Sequence, residues 1–199
     1  MSTPATPRRP LVLGSTSRYR RELLSRLGLP FEVASPEVEE TPLTHETPRA
    51  LALRLALAKA RAVARRFPEA VVIGSDQVAD LDGQPLGKPL EHARAVQQLQ
   101  QMRGREVVFQ TAVAVVCQAS GFARQELAQV RVRFRALTDA EIERYLHAEQ
   151  PYDCAGSAKS EGLGIALLES IHNDDPTALV GLPLIRTCAL LRAAGLVVP

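Results

Sequence analysis

Short apolar runs and amphipathic stretches alternate along the chain, and they predict strands and helices in turn. Residues 11–14 are mostly apolar and end in a small residue, and over 20–27 leucines recur at helical spacing before Gly28. This order predicts a strand, a tight turn and a helix that stops at a glycine. The apolar residues at 31–34 predict a second short strand.

Capping residues mark where the predicted helices begin. Thr47 followed by a proline is typical of a helix start, and the apolar spacing continues to Arg66. Thr138 with Glu141 forms the capping-box pattern and opens a helix to about Glu149. Two further helices are predicted, at residues 91–102 and 183–194.

Runs of β-branched residues predict the longer strands. One run covers residues 70–79 and leads into a turn at Asp82-Gly83. Two long strand patterns, at 106–117 and 122–134, are joined at Ser120-Gly121 and predict an antiparallel pair. A further strand is predicted at 165–171.

The order of these elements predicts one α/β domain with a mixed sheet over residues 10–199. No repeat, low-complexity tract or linker interrupts it. Residues 1–9 are expected to be a disordered tail, because proline and threonine alternate there without apolar periodicity.

Composition narrows the class of protein. With 199 residues, 46% hydrophobic and 23% charged, the chain has the balance of a globular protein. No apolar run approaches the ~20 residues that cross a bilayer, so we expect a cytoplasmic protein with no membrane partner. The three cysteines are far apart, which favours reduced thiols over disulfides. The four histidines are equally scattered, so we expect any metal to be a hard cation bound by carboxylates.

The charge pattern points to phosphate rather than to nucleic acid. A net charge of +2 is too small to predict a nucleic-acid surface. Of the 24 cationic residues only Lys59, Lys88 and Lys159 are lysines. In a chain that otherwise uses arginine, each lysine marks a position where a compact ammonium can contact a phosphate.

The first segment with candidate chemistry follows the first predicted strand. Ser15 lies in a turn of small residues, and Arg20 and Arg21 fall at the start of the next helix. Turn amides, hydroxyls and a helix N-terminus form a cradle for an anion, although no Walker sequence is present. The alternative is a solvated basic first turn, which would oppose the helix dipole unless an anion binds there.

The second segment places a carboxylate inside a strand. Asp76 interrupts a run of β-branched residues. Burying its charge costs free energy, so we expect either a neutralising partner or a functional role for the carboxylate. A general base or a metal ligand would fill that role; an aspartate that meets water or an arginine at a strand end is the alternative. Lys88, in a loop stiffened by the next proline, can point toward Asp76 or simply lie on the surface.

Two further segments carry weaker signals. Glu39 and Glu40 are adjacent acids in a proline-rich loop, where such residues are usually solvated, but with Asp76 they could hold Mg²⁺ or Mn²⁺. Small residues at 154–165 surround Lys159 and would admit a ligand close to the backbone, although an ordinary bulged strand explains them equally well.

Taken together and in this order, the segments resemble the Maf family of nucleoside triphosphate pyrophosphatases over nearly the whole chain. The resemblance rests on the following sequences: STSxxRR at 15–21, EETP at 39–42, Lys59, GSDQV at 74–78, GKP at 87–89, CAGSxKSEGxGI at 154–165 and VGLPL at 180–184. It implies a fold related to inosine triphosphate pyrophosphatases, with a mixed sheet flanked by helices and two lobes around a central cleft. It also implies a divalent cation (Mg²⁺, Mn²⁺ or Co²⁺) and, often, a homodimer.

Within that family, Gln77 and Glu161 resemble the subgroup that acts on 7-methyl-GTP. Methylation at N7 makes guanine cationic, so Glu161 could accept from its N–H donors and attract its charge, while Tyr19 could stack on the ring. We expect hydrolysis of 7-methyl-GTP to 7-methyl-GMP and pyrophosphate. Another Maf specificity, such as dTTP, UTP or a different modified nucleotide, is the nearest alternative.

The chemistry of triphosphate cleavage suggests a role for each residue. We expect Asp76 to orient or deprotonate a water that attacks the α-phosphorus, and Glu39 to help Asp76 hold the cation. The groups expected to bind the triphosphate are Ser15, Arg20, Arg21, Lys59 and Lys88. Two other readings stay open, a small-molecule phosphatase with the same anion cradle and a non-enzymatic nucleic-acid-binding regulator; the near-neutral charge argues against stable nucleic-acid binding.

Overall fold

The computed structural model describes residues 9–198, which fold around a seven-stranded mixed sheet. The strands are β1 (Leu11–Gly14), β2 (Glu32–Val33), β3 (Val71–Leu81), β4 (Gln84–Leu86), β5 (Glu106–Cys117), β6 (Phe122–Phe134) and β7 (Leu168–His172). The α-helices are α1 (Arg18–Ser25), α2 (Pro48–Ala64), α3 (His92–Met102), α4 (Asp139–Glu149) and α5 (Leu184–Ala193). Three short 3₁₀ segments lie at Ala155–Ser157, Leu163–Leu167 and Ala178–Val180.

The sheet order is β2-β1-β3-β5-β6-β7, and β4 pairs with β3. β1 runs parallel to β2 and β3, whereas β3, β5, β6 and β7 are successively antiparallel. The predicted mixed sheet and the predicted antiparallel pair are therefore confirmed. The long strands β5 and β6 stay in register from Glu106↔Arg133 to Cys117↔Phe122.

The predicted helix starts are also confirmed. Thr47 caps α2, because its hydroxyl accepts from the Ala50 backbone N–H at 3.2 Å. At α4 the Thr138 hydroxyl and the Glu141 carboxylate cap each other's backbone N–H groups. These bonds lower the pKa of Glu141 to about 2, and Arg135 contributes to the shift.

One predicted strand is misplaced. Residues 165–171 were expected to be extended, but a 3₁₀ turn occupies Leu163–Leu167 and the strand begins at Leu168. Gly164 lies against the backbone of Lys159, so close that an added Cβ would be 2.5 Å from the Lys159 carbonyl oxygen. This contact winds the chain before β7, and an apolar run by itself does not distinguish a wound segment from an extended one.

Helices cover both faces of the sheet. α2 packs on one face against alternate residues of β3 and β5, while α1 and α5 pack on the opposite face. A third apolar cluster joins α3 and α4 to the other end of the sheet, where β5, β6 and the last residues of β3 meet. One cleft is lined both by residues near the first two clusters, such as Ser15 and Lys59, and by residues packed on the third, such as Ala155 and Ala158.

The predicted tail lies largely outside the described residues, which include only Arg9 of residues 1–9. The Arg9 guanidinium is 3.2 Å from the sulfur of Cys117. Among residues 9–198, no helix has both the length and the apolar character needed to cross a bilayer.

Candidate active site

A gap in the sheet creates the site. β1 pairs with β3 up to Gly14↔Gly74, and β4 begins to pair with β3 at Ala79↔Leu86. Between these two pairings, residues 75–78 of β3 have a described strand partner on one side only, the β5 strand. The open edge of β3 therefore faces a cleft beyond the carboxyl end of β1, a position where α/β sheets bind ligands.

The cleft has a volume of about 400 Å³, within the range of small-molecule sites. Its walls combine the α1 turn, the α2 side, the strand β3 and the loops that follow α4 and β7. The lining residues used below are Ser15, Arg18, Tyr19, Arg20, Glu40, Lys59, Gln77, Lys88, Asp153, Cys154, Glu161 and Val180.

Alternation along β3 sends its polar side chains to opposite faces of the sheet. Gly74 and Asp76 face α2, whereas Ser75 and Gln77 face the segment 178–181. The Ser75 hydroxyl is within hydrogen-bond distance of two backbone carbonyl oxygens, one of them that of Gly181, at 2.9 Å. Backbone carbonyl groups therefore hold the Ser75 side chain in place. Asp76 and Gln77 lie on opposite faces of β3, next to its open edge.

A buried carboxylate and a buried ammonium form the charged centre of the site. Lys59 Nζ on α2 donates to Asp76 Oδ1 at 2.7 Å, and the two residues are only 5% and 6% exposed. The same ammonium lies 2.7 Å from Glu40 Oε1, whose side chain is more than half exposed. Two carboxylates therefore converge on one cationic position, with one acid buried and the other reaching in from solvent.

Gly74 allows α2 to approach closely enough for this pairing. A Cβ at Gly74 would lie 2.3 Å from the Ala56 carbonyl oxygen and 2.5 Å from the Ala60 backbone nitrogen. Only a residue without a side chain fits between β3 and α2 at this point. Since Lys59 and Asp76 are carried by these two elements, the close packing sets their separation.

The turn before α1 brings Ser15 and Arg20 together in the cleft wall. The Ser15 hydroxyl accepts from the Ser17 backbone N–H at 3.2 Å and lies 3.5 Å from an Arg20 guanidinium nitrogen. Arg20 Nε donates to the Gly181 carbonyl oxygen at 2.9 Å, which fixes the guanidinium in the cleft wall. Burial lowers the pKa of Arg20, and the Asp76 and Glu40 carboxylates oppose that shift; arginine remains cationic at neutral pH.

The first turn of α1 contains no acidic residue. Its positive helix end and Arg20 therefore face the cleft without a carboxylate on the same turn to neutralise them. Lys88 also lines the cleft, and no acidic group among residues 9–198 lies within 4.0 Å of its ammonium. These groups give one part of the cleft a positive field suited to an anionic ligand.

Two residues predicted at the site lie elsewhere. Arg21 is exposed and does not line the cleft, because it is rotated about 100° from Arg20 around the helix axis. Glu39 is also exposed, and its carboxylate accepts from the backbone N–H and the hydroxyl of Thr41. The neighbouring acid, Glu40, is the one that reaches Lys59. Sequence alone gave no means of choosing between adjacent acids in an irregular loop.

The opposite part of the cleft is suited to an aromatic ring. Tyr19 lines the wall, with the Arg18 guanidinium 4.7 Å from the centre of its ring and Cys154 Sγ 3.9 Å from its hydroxyl. Burial raises the pKa of Tyr19 and raises that of the Cys154 thiol to about 12, which favours the protonated thiol. Arg18, which was not among the predicted site residues, joins the site because it occupies the same helical turn as Tyr19.

Gln77 and Glu161 provide hydrogen-bond acceptors in this part of the cleft. The Gln77 amide nitrogen, with two hydrogens to donate, lies 2.9–3.0 Å from the Thr111 hydroxyl and from the carbonyl oxygens of Ala178 and Leu179. These bonds orient the amide, and its oxygen accepts no hydrogen bond from the described residues. Glu161 is exposed, with no cationic side chain of residues 9–198 within 4.0 Å of its carboxylate.

Lys159, the third lysine, has a structural role. Its ammonium donates to Glu149 Oε1 at 2.6 Å, and the other carboxylate oxygen accepts from the Leu163 backbone N–H at 2.7 Å. The ion pair ties the end of α4 to the loop that carries Glu161. This neutralised lysine is therefore separate from the cationic groups of the cradle.

The fold and the cleft together define an α/β protein with a polar cleft that has a cationic region beside an aromatic wall. Residues 10–194 match the family described as Maf-like protein. The chain therefore belongs to the Maf family.

Curated relatives extend this finding over nearly the full length. A protein of Polaromonas sp. (strain JS666 / ATCC BAA-500) called 7-methyl-GTP pyrophosphatase is 78% identical over 98% of this chain and 89% of its own length. A protein of Albidiferax ferrireducens with the same name is 72% identical over 94% of both chains. One of Burkholderia pseudomallei, again with that name, is 62% identical over 93% of this chain and 87% of its own length.

Proposed function

We propose that this protein hydrolyses 7-methyl-GTP to 7-methyl-GMP and pyrophosphate. The observation that carries the proposal is the buried Lys59–Asp76 pair at the open edge of β3, with a cationic cradle on one side and acceptors for a purine on the other. The names of the relatives support the same substrate.

The cationic groups account for binding of the triphosphate. Arg20, Lys59 and Lys88 line one continuous cleft, and the Ser15 hydroxyl and the start of α1 add hydrogen-bond donors. A triphosphate carries several negative charges, and its charge moves toward the leaving pyrophosphate during cleavage. Fixed cations at this position therefore stabilise the transition state more than the bound substrate.

We assign to Asp76 the activation of the attacking water. Lys59 holds one oxygen of its carboxylate, so the second oxygen is free to accept a proton from water or to orient it. The water oxygen bonds to the α-phosphorus, the bond from that phosphorus to the bridging oxygen breaks, and pyrophosphate leaves. One water is consumed, and the released proton passes to Asp76 and then to solvent.

Asp76 and Glu40 are also the residues that would hold a divalent cation. Their carboxylates already converge on the Lys59 ammonium, and paired carboxylates suit the hard ions Mg²⁺ and Mn²⁺; the borderline ion Co²⁺ also accepts carboxylate ligands. Glu40 replaces Glu39 in this proposal because of its position. When bound, such an ion would neutralise charge on the phosphate oxygens.

The proposed base site explains a preference for 7-methylguanine. Guanine presents an N1–H and an amino group, and Glu161 with the Gln77 amide oxygen offers acceptors for such donors. The methylated ring is cationic, so a carboxylate that is paired with no cation among residues 9–198 attracts it, and the Tyr19 ring can stack on it. Thymine and uracil present a single N–H between two carbonyl groups and match these acceptors less well.

A comparison of nucleotides tests the proposal. With pure protein and Mg²⁺, Mn²⁺ or Co²⁺, we expect 7-methyl-GTP to give the highest kcat/KM among 7-methyl-GTP, GTP, dTTP and UTP, with pyrophosphate as the product. Glu161→Gln removes the charge and keeps the shape. It should reduce the preference for 7-methyl-GTP over GTP by about 10-fold, because both bases offer the same N–H donors and only the methylated ring carries the charge that the carboxylate attracts.

Glu126→Gln provides the matched control, because Glu126 is an exposed acid on β6 that does not line the cleft. It should leave the order of substrates unchanged. A higher kcat/KM for dTTP or UTP would overturn the assigned substrate, and release of phosphate instead of pyrophosphate would overturn the reaction. An unchanged preference in Glu161→Gln would remove the account of base recognition.

Three expectations from the sequence stay predictions. They are the cytoplasmic location, the absence of stable nucleic-acid binding and the homodimer. The single domain over 10–199 likewise stays a prediction.

A further inference from the structure

A cluster of metal-ligating side chains lies outside the cleft. The scattered histidines gave no metal signal in the sequence, but folding brings His92, Glu143 and His147 together where α3 packs against α4. One ligand atom from each side chain lies within 4.8 Å of the other two. Glu143 and His147 are four residues apart on α4 and share a face, while His92 is the first residue of α3.

The distances suit a small divalent ion. Glu143 Oε2 is 2.9 Å from His92 Nε2 and 3.6 Å from His147 Nε2. In a tetrahedral zinc site with bonds of about 2.0–2.2 Å, neighbouring ligand atoms are about 3.4 Å apart. The two observed separations bracket that value, so modest side-chain movement would complete the set. Two imidazoles and a carboxylate are a ligand combination that favours Zn²⁺.

Tyr152 orients His92 toward the cluster. The Tyr152 hydroxyl is 3.5 Å from the Leu146 carbonyl oxygen, to which it can donate, and 2.9 Å from His92 Nδ1. When the hydroxyl donates to Leu146, it accepts from Nδ1–H, and the lone pair of His92 is then on Nε2. A Zn²⁺ ion bound there would take that lone pair and the Glu143 carboxylate oxygen 2.9 Å away as ligands, in place of the proton that otherwise links the two atoms. A hydrogen bond on the distal nitrogen is the usual support of a metal-bound histidine.

We propose that His92, Glu143 and His147 bind one Zn²⁺ ion that joins α3 to α4. The site is adjacent to two loops of the cleft. Tyr152 directly precedes Asp153 and Cys154 in the cleft wall, and its carbonyl oxygen accepts from the Leu90 backbone N–H at 3.1 Å, two residues after Lys88. A bound ion would therefore stabilise the region that carries these loops. This proposal does not depend on the proposed reaction.

Titration of untagged protein with Zn²⁺, followed calorimetrically without nucleotide, tests the site. We expect one equivalent to bind to the wild type with a rise in the thermal unfolding midpoint. Both effects should be lost in the double variant His92→Ala/His147→Ala. Tyr152→Phe should weaken binding about 10-fold or more, because it removes the group that orients His92. Co²⁺ in the same site should show the intense visible bands of tetrahedral coordination.

Two control variants separate this site from other metal binding. Asp76→Asn alters the cleft and should still bind one equivalent of Zn²⁺. His172→Ala removes a histidine of β7 that is not part of the cluster, and it should also bind one equivalent. The absence of zinc binding to the wild type would overturn the proposal. Undiminished binding to the double variant, shown to be folded by circular dichroism, would overturn it equally.

Discussion

Replacing Asp76 with asparagine is expected to reduce kcat for 7-methyl-GTP by about 10²- to 10⁴-fold, the range typical of losing a general base. The protein should stay folded, because the asparagine oxygen can still accept from Lys59 and the ammonium keeps its contact with Glu40. Steady-state kinetics of pyrophosphate release, combined with thermal unfolding of the same samples, measures both effects.

Asp80→Asn is the matched control for that variant. Asp80 is on the same strand and the same side of it, but its carboxylate accepts from the Gly83 backbone N–H and from Gln110, away from the cleft. We expect its kcat to stay near the wild-type value. Pyrophosphate release by Asp76→Asn at nearly the wild-type rate would show that Asp76 does not act on the water.

Gly74→Ala is expected to lower the free energy of unfolding by about 1–3 kcal/mol, the usual cost of overpacking a core. The added methyl group would meet backbone atoms of α2 at Ala56 and Ala60, which cannot rotate away. To relieve the contact, α2 must move off β3, and this movement separates Lys59 from Asp76. Activity should therefore fall at temperatures where the variant is still folded. Urea unfolding and kinetics measure the two changes.

Gly87→Ala controls for the loss of a glycine. A Cβ at Gly87 would meet no other atom within 4 Å, and its backbone φ is not positive. Its stability should be equal to that of the wild type or slightly higher, because the unfolded chain loses conformational freedom. Wild-type stability and activity in Gly74→Ala would contradict the link between helix packing and the charged pair.

Much of the fold follows from local patterns. The strands β5 and β6 have the bounds that the sequence predicts. β5 is apolar and buried on both faces along most of its length, whereas the second half of β6 alternates buried and exposed residues. The capping residues Thr47 and Thr138 located two helix starts, since their hydroxyls meet the first free backbone N–H groups. The segment before β7 was misplaced because it is wound as a 3₁₀ turn in which Gly164 packs against the Lys159 backbone, and an apolar run does not reveal that winding.

The candidate site was predictable in its residue types but not in its partners. An aspartate in an apolar strand indicated a buried charge, but the identity of its partner depends on which turn of α2 packs over β3. Lys59 is that partner because Gly74 admits the helix there. Neighbouring residues of the same type posed a second difficulty. The sequence does not show which side chain points into the cleft, Arg20 or Arg21, Glu39 or Glu40, because tertiary packing sets that direction.

The central claim is that a single water links Asp76 to the α-phosphorus of a nucleotide whose phosphates lie against Arg20, Lys59 and Lys88. The most direct test is a crystal structure with an analogue of 7-methyl-GTP that has a methylene group between the α- and β-phosphorus atoms. We predict a water within about 2.6–3.2 Å of the Asp76 carboxylate, on the side of the α-phosphorus opposite the methylene. An α-phosphorus too far from Asp76 for one bridging water, or phosphates bound away from these three cations, would contradict the claim.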